Sequence, residues 1–215
     1  MSIKTPLKLA LLTDGIYPFV IGGMQKHSFY LAKFLALKGV EITLVHCVMN
    51  DKKAVDHQAV LEAMQIEDLP NFKSHCLVFP AAGNLPGHYL KESYKYSRDI
   101  FDWLKPTLSN FDFIYSKGFS AWYLLDQKKR GLATPPVSVK FHGYEMFQKP
   151  PSFRSRLEHL LLRGPVKFVN GQAEYVFSYG GKITPIIKKL GTAASQIIEI
   201  PTGIESSWIT EKFAP

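Results

Sequence analysis

Cysteine is scarce in this sequence: two residues in 215, Cys47 and Cys76. They lack both the density of a disulfide framework and the paired spacing of a metal site, and read as buried free thiols in or beside strands. Long apolar runs are missing as well. None approaches the roughly 20 residues of a membrane-spanning helix, and the stretch from Lys8 to Thr13 is too short for a signal-peptide core, so the chain reads as cytoplasmic. No Gly-x-Gly-x-x-Gly follows the first strand, and no Gly-x-x-x-x-Gly-Lys-Ser/Thr is present, which removes the signatures of dinucleotide oxidoreductases and P-loop enzymes. The Gly-x-Ser-x-Gly nucleophile elbow is absent. No Asp-x-Asp or His/Cys cluster offers a metal site, so neither a metal nor a cofactor is expected.

What is present suits a folded α/β chain. Apolar residues make up 46% and aromatics 13%, enough for a substantial core. The stretch from Leu7 to His46 organises the rest. Lys8 to Thr13 is short, mostly apolar and bounded by Asp14-Gly15, as expected of a parallel strand covered on both faces. From Met24 to Lys38, Leu31, Phe34, Leu35 and Leu37 recur at helical spacing, and Gly39 suits a helix C-terminus. Glu41 to His46 returns to strand. Gly22-Gly23 therefore precedes a helix N-terminus, where free amides and the helix dipole favour an anion and missing side chains allow close approach.

Further along, Asp51 to Asp68 is polar and loosely helical, and Phe72 to Phe79 reads as the third strand. Pro80 to Gly87 forms a loop at that strand's carboxyl end. Tyr89 to Leu104 is a helix, Phe111 to Tyr115 the fourth strand, Phe119 to Lys129 a helix ended by Gly131, and Val137 to Phe141 the fifth strand. Phe153, Leu157, Leu160 and Leu161 make an apolar stripe in a helix from Ser152 that Gly164-Pro165 is expected to stop. Tyr175 to Ser178, a helix over Thr184 to Leu190, and Ile197 to Ile200 complete the pattern. Alternating strands and helices predict a Rossmann-like, doubly wound parallel sheet in one domain.

Such sheets bind ligands outside the carboxyl ends of their strands. Three unusual loops are predicted there: Gly22-Gly23, the loop after strand three, and His142-Gly143-Tyr144-Glu145. His142 is read as an imidazole that donates to a sugar hydroxyl or phosphate, rather than as a capping histidine. Glu145 either binds a hydroxyl or caps the next segment. Lys117, placed just past strand four, is within reach of the same cleft, although a lysine there is ordinarily solvated. His27 falls on the sheet-facing side of its helix and reads as structural. Asp14 reads as a loop-fixing carboxylate.

The net charge of +8 is uneven. Between Lys128 and Lys167 stand nine Lys or Arg against Glu145 and Glu158. The segment is either a solvated helix face or a docking patch for an anionic partner such as an acidic membrane. Nucleic acid fits less well, because no reading helix or aromatic platform accompanies the charge.

Gly22-Gly23 with His27, the strand ending in His142-Gly143-Tyr144-Glu145, Tyr175-Val176-Phe177-Ser178, and Pro201-Thr202-Gly203-Ile204 with Phe213 and Pro215 together resemble the N-terminal half of GT-B glycosyltransferases, most closely the retaining family 4. The resemblance implies a Rossmann-like acceptor-side domain over residues 1–200, an interdomain linker beginning over 201–215 with its hinge at Thr202-Gly203, and a donor-binding second domain outside this chain. It implies that Gly22 and Gly23 approach the diphosphate of a nucleotide-sugar co-substrate and that His142 contacts the transferred sugar as the candidate catalytic residue. Gly143, Tyr144, Glu145 and Lys117 become candidates for binding the sugar or a glycan or lipid-linked acceptor. Asn170-Gly171, Gly180-Gly181 and Thr202 depart from the family pattern. The other reading left open is a non-catalytic Rossmann-like module that holds an anionic saccharide or nucleotide.

Overall fold

The computed structural model describes residues 5–67, 69–81, 83, 87–201 and 203. Among these, seven strands form one all-parallel sheet in the order β3-β2-β1-β4-β5-β6-β7. The strands are β1 (Lys8–Leu12), β2 (Glu41–Val48), β3 (Phe72–Val78), β4 (Phe113–Lys117), β5 (Val137–Lys140), β6 (Tyr175–Ser178) and β7 (Ile197–Glu199). The helices are α1 (Gly23–Leu37), α2 (His57–Met64), α3 (His88–Leu104), α4 (Trp122–Lys129), α5 (Phe153–Gln172) and α6 (Ile183–Lys189).

Alternation along β1 explains why the chain winds on both sides. Leu9 and Leu11 belong to a core with Phe29, Ala32 and Ala36 of α1 and Val60, Leu61 and Met64 of α2. Ala10 and Leu12 face the other way, into a core with residues of α3, α4, α5 and α6. Successive side chains of a strand point to opposite faces, so a wholly apolar strand can bury both only between two helical layers.

The order of the strands reverses between β1 and β4. β1 pairs with β2 on one side and with β4 on the other, and connections leave these neighbours in opposite directions, opening a crevice at their carboxyl ends. The loop after β1, which contains a cis Tyr17–Pro18 peptide, forms one wall.

One sequence expectation needs correction. α5 does not stop at Gly164-Pro165 but runs on to Gln172. Pro165 has no N–H for the carbonyl of Leu161. Leu161 is exposed, at 39%, so water can take that carbonyl, while Val166 and Val169 beyond the proline are fully buried and hold the helix to the sheet. The polar stretch before β3 is helical in part, as expected: α2 is capped by the Asp56 carboxylate, which accepts from Ala59 N at 2.8 Å. Of the expected hinge, Thr202 lies outside the described residues, as do Ile204, Phe213 and Pro215.

Candidate functional site

The crevice is built from the ends of four strands. After β1, Thr13 is pinned from both helical layers: its hydroxyl lies 3.0 Å from Ser28 Oγ of α1, and Tyr96 OH of α3 donates to its carbonyl at 2.6 Å. These contacts fix where the chain leaves the sheet and so where α1 begins. Gly22 is the N-cap of α1 and offers no side-chain cap, and the first turn carries no acidic residue. The leading amides of α1 are therefore left for solvent or a ligand. Gly22 itself has extended backbone, φ 162°, which any residue adopts.

His142 follows β5 by two residues and meets this helix start. A Cβ placed on Gly23 would stand 3.9 Å from His142 Nε2. The Tyr179 hydroxyl, just past β6, approaches both ring nitrogens of His142 at 3.3 and 3.4 Å.

Beneath His142 lie two lysines. Lys117 and Lys140 are the last residues of β4 and β5 and stand side by side in register. They are 0% and 2% exposed. Lys117 Nζ is 2.8 Å from His27 Nδ1, and Lys140 Nζ sits 3.7 Å from the centre of the Tyr179 ring, a cation–π contact. His27 in turn packs edge-on against His142 and Tyr179, with ring centres 6.0 and 6.1 Å away. Among the described residues neither lysine has an ion-pair partner.

The charge state follows from this crowding. Burial, then the neighbouring Lys140, draws the Lys117 amine down to about 6, with Asp14 acting weakly the other way. Burial brings Lys140 to about 8. Burial followed by the lysine charges lowers His142 to about 4 and His27 to about 3. Both imidazoles are thus neutral at physiological pH, each with one nitrogen to donate and one to accept. Asp14, bonded by Gln25 Nε2 at 3.3 Å, is raised by burial to about 6. Its contact with α1 is the loop-fixing one expected.

The structure brings Gly22, Gly23, Lys117 and His142 to one opening and adds His27, Lys140 and Tyr179. His27 faces the crevice through Lys117 and His142, which its position on the sheet-facing side of α1 did not reveal. Lys117 is a strand residue, fully buried, because β4 runs two residues further than the sequence pattern suggested. Tyr144 is corrected in the other direction. It is 1% exposed, packs on Phe141 and Phe147, and pairs its hydroxyl with Asn170. It supports the His142 turn from below, with its hydroxyl already taken up by Asn170 and its ring by Phe141 and Phe147. The Glu145 carboxylate folds back over Gly143, where a side chain would collide with it.

A separate hollow of about 520 Å³ lies along the front of α5, lined by Lys149, Pro150, Arg156, His159, Leu160 and Arg163. Around it Phe153 is 84% and Leu160 62% exposed. Leu161 reaches across to the crevice side, 3.5 Å from where a Cβ on Gly87 would be.

No protein-family model and no curated protein matches the sequence. Among solved structures, the chain is similar to sucrose-phosphate synthase from Thermosynechococcus elongatus at a TM-score of 0.61 and 13% identity, over 92% of this chain and 48% of that one. It is also similar to HepE from Anabaena, solved with UDP and glucose (TM-score 0.48, 16% identity, 93% of this chain and 45% of that one). A third is UDP-GlcNAc 2-epimerase from Methanocaldococcus jannaschii (0.49, 13%, 91% and 46%). The chain spans about half the length of each of these structures. At such identities the likeness speaks for architecture alone. Sheet order and the match to sucrose-phosphate synthase together give this chain a Rossmann-like α/β fold that is GT-B-like.

Proposed function

We propose that the chain is the acceptor-side lobe of a retaining glycosyltransferase of the family 4 type, acting with a second lobe that holds the nucleotide sugar. The observation that carries this reading is the meeting of the uncapped α1 N-terminus at Gly23 with the neutral imidazole of His142 at the sheet's switch point. Departure of a nucleoside diphosphate builds negative charge on phosphate oxygens, and oriented amides at a helix start stabilise such charge without a metal. His142, neutral and at the rim, is suited to donate to a hydroxyl of the sugar being transferred. The shared fold with sucrose-phosphate synthase supports the assignment at the level of architecture.

The half-enzyme reading has a direct test. The 215-residue chain and the product of its full natural reading frame are each titrated with a panel of nucleotide sugars while transfer to acceptor is followed. Negligible turnover by the chain alone and robust turnover once a second lobe is joined are expected. Robust multiple turnover by the 215-residue chain would refute it. A reading frame that ends at Pro215, with nucleotide binding and no transfer, would favour the binding module instead.

The front of α5 bears on the acceptor. Phe153, Leu157, Leu160 and Leu161 are exposed among Lys149, Arg154, Arg156 and Arg163. Apolar side chains ringed by base are suited to the interface of an acidic membrane. In our reading this face holds the lobe on the membrane and brings a lipid-linked acceptor to the crevice. The protein should sediment with vesicles containing acidic phospholipid and remain in solution with zwitterionic ones, and Phe153→Asp with Leu160→Asp should weaken that binding by about tenfold or more. Binding indifferent to lipid charge would count against the membrane role.

A further inference from the structure

We propose that Lys117 and Lys140, together with the free amides at the start of α1, form a seat for a phosphate-class anion on the floor of the crevice. The proposal deepens the transferase reading and rests on it for the identity of the molecule that carries the anion.

The argument starts from the register of two central strands. β4 and β5 are otherwise built of apolar and small residues, FIYSK and VSVK, and both end in lysine at paired positions. Burying one amine beside another is costly, because each loses hydration and each opposes the other's charge. Natural folds relieve that cost with a carboxylate. Here the neighbours are His27, His142, Tyr115 and Tyr179, all neutral, and Asp14, whose charge acts only weakly on Lys117. The two amines thus share a pocket rich in donors and poor in acceptors. An incoming dianion supplies the missing acceptors, with Lys117, Lys140 and the α1 amides converging on it and a tautomer of His27 or His142 able to donate as well.

Two sources fit this chemistry. One is the diphosphate of the nucleotide sugar; the other is a phosphomonoester on the acceptor. They differ in which free ligand competes for the seat.

The test uses inorganic phosphate as the probe, followed by calorimetry and by thermal unfolding against chloride at equal ionic strength. Phosphate should bind and stabilise the wild-type chain beyond chloride, and Lys117→Met and Lys140→Gln should each weaken binding by about tenfold or more. Both variants remove a buried amine, and circular dichroism verifies that they fold. A measurement on the unaltered protein stands beside them. At pH 8 the Lys117 amine, held near 6 by burial, must gain a proton to pair with the anion. Lys140, near 8, is about half neutral at that pH and gains its missing half as well, so calorimetry in two buffers of different ionisation enthalpy should show net proton uptake of about one to one and a half.

Competition by UDP but not by glycerol phosphate would assign the seat to the donor, and the reverse to the acceptor. Absence of phosphate-specific stabilisation, binding unchanged in both lysine variants, or binding without proton uptake would overturn the proposal. The transferase reading fails separately: phosphate held by the lysines in a protein that transfers no sugar would leave the seat standing and remove its proposed use.

Discussion

Thermal unfolding between pH 6.5 and 8.5 should show the protein gaining stability as the solution becomes more alkaline, and Lys117→Met should both stabilise it and flatten the slope. Lys117 takes up its proton near 10.5 when the chain is unfolded but only near 6 in the fold. Between those values unfolding binds a proton, so raising the pH favours the folded state. The gain is about 1.4 kcal/mol per pH unit for a group fully charged when unfolded and neutral when folded, or roughly 2–3 kcal/mol across this window. Groups with opposing trends lie outside it. Asp14, raised to about 6, favours the fold only at lower pH, and Cys47, raised from 9.0 to about 12, begins to oppose the gain above 9. Lys140, lowered to about 8, adds to the gain toward the upper end of the window, and the lowered values of His27 and His142 act in the same direction but are exhausted near 6.5. Methionine fills nearly the lysine volume without an amine, and the variant should gain on the order of 3 kcal/mol at pH 7. Flat or declining stability over the window, or a variant weaker than wild type, would contradict the buried neutral amine.

The second large effect concerns the reaction. In the two-lobed enzyme, His142→Ala should lower kcat for sugar transfer by more than tenfold, with about a hundredfold being the usual scale for an oriented donor lost at a reacting centre. His142 is placed by the Tyr179 hydroxyl and by edge-on packing against His27. Its neutral state lets it donate without adding a positive charge beside Lys117 and Lys140. Nucleotide affinity should change little, because the leading amides of α1 remain. Unchanged kcat in the variant would remove the imidazole from the mechanism.

Much of the architecture was legible because each strand is a short apolar run and each connection is long enough for a helix. Gly22-Gly23 and His142 were recognisable for the same reason: unusual residues at the carboxyl ends of strands. The lysine pair was harder to see. A single lysine at a strand end normally reaches water, and only the order β1-β4-β5, with its register, turns two such residues into neighbours that lack an ion-pair partner among the described residues. The signal was present in the matching ends of FIYSK and VSVK. Tyr144 misled in the opposite sense. Its place in the loop suggested contact with a ligand, yet Asn170, 26 residues away, draws the hydroxyl inward. The length of α5 was missed because Gly-Pro ends an isolated helix, whereas burial of Val166 and Val169 outweighs one lost hydrogen bond.

That uninterrupted α5 joins two tasks in one rod. Its front carries the exposed Phe153 and Leu160, and its far end carries Asn170, which grips Tyr144 under the His142 turn. Pro165 stands between them as a joint of low bending stiffness, since one rung of the hydrogen-bond ladder is missing there. The leading segment is nonetheless tied to the residues after His142, because Arg163 donates to the Met146 carbonyl at 2.7 Å and lies over the Phe147 ring, so any tilt of the exposed front of α5 is passed on to the turn that carries the imidazole.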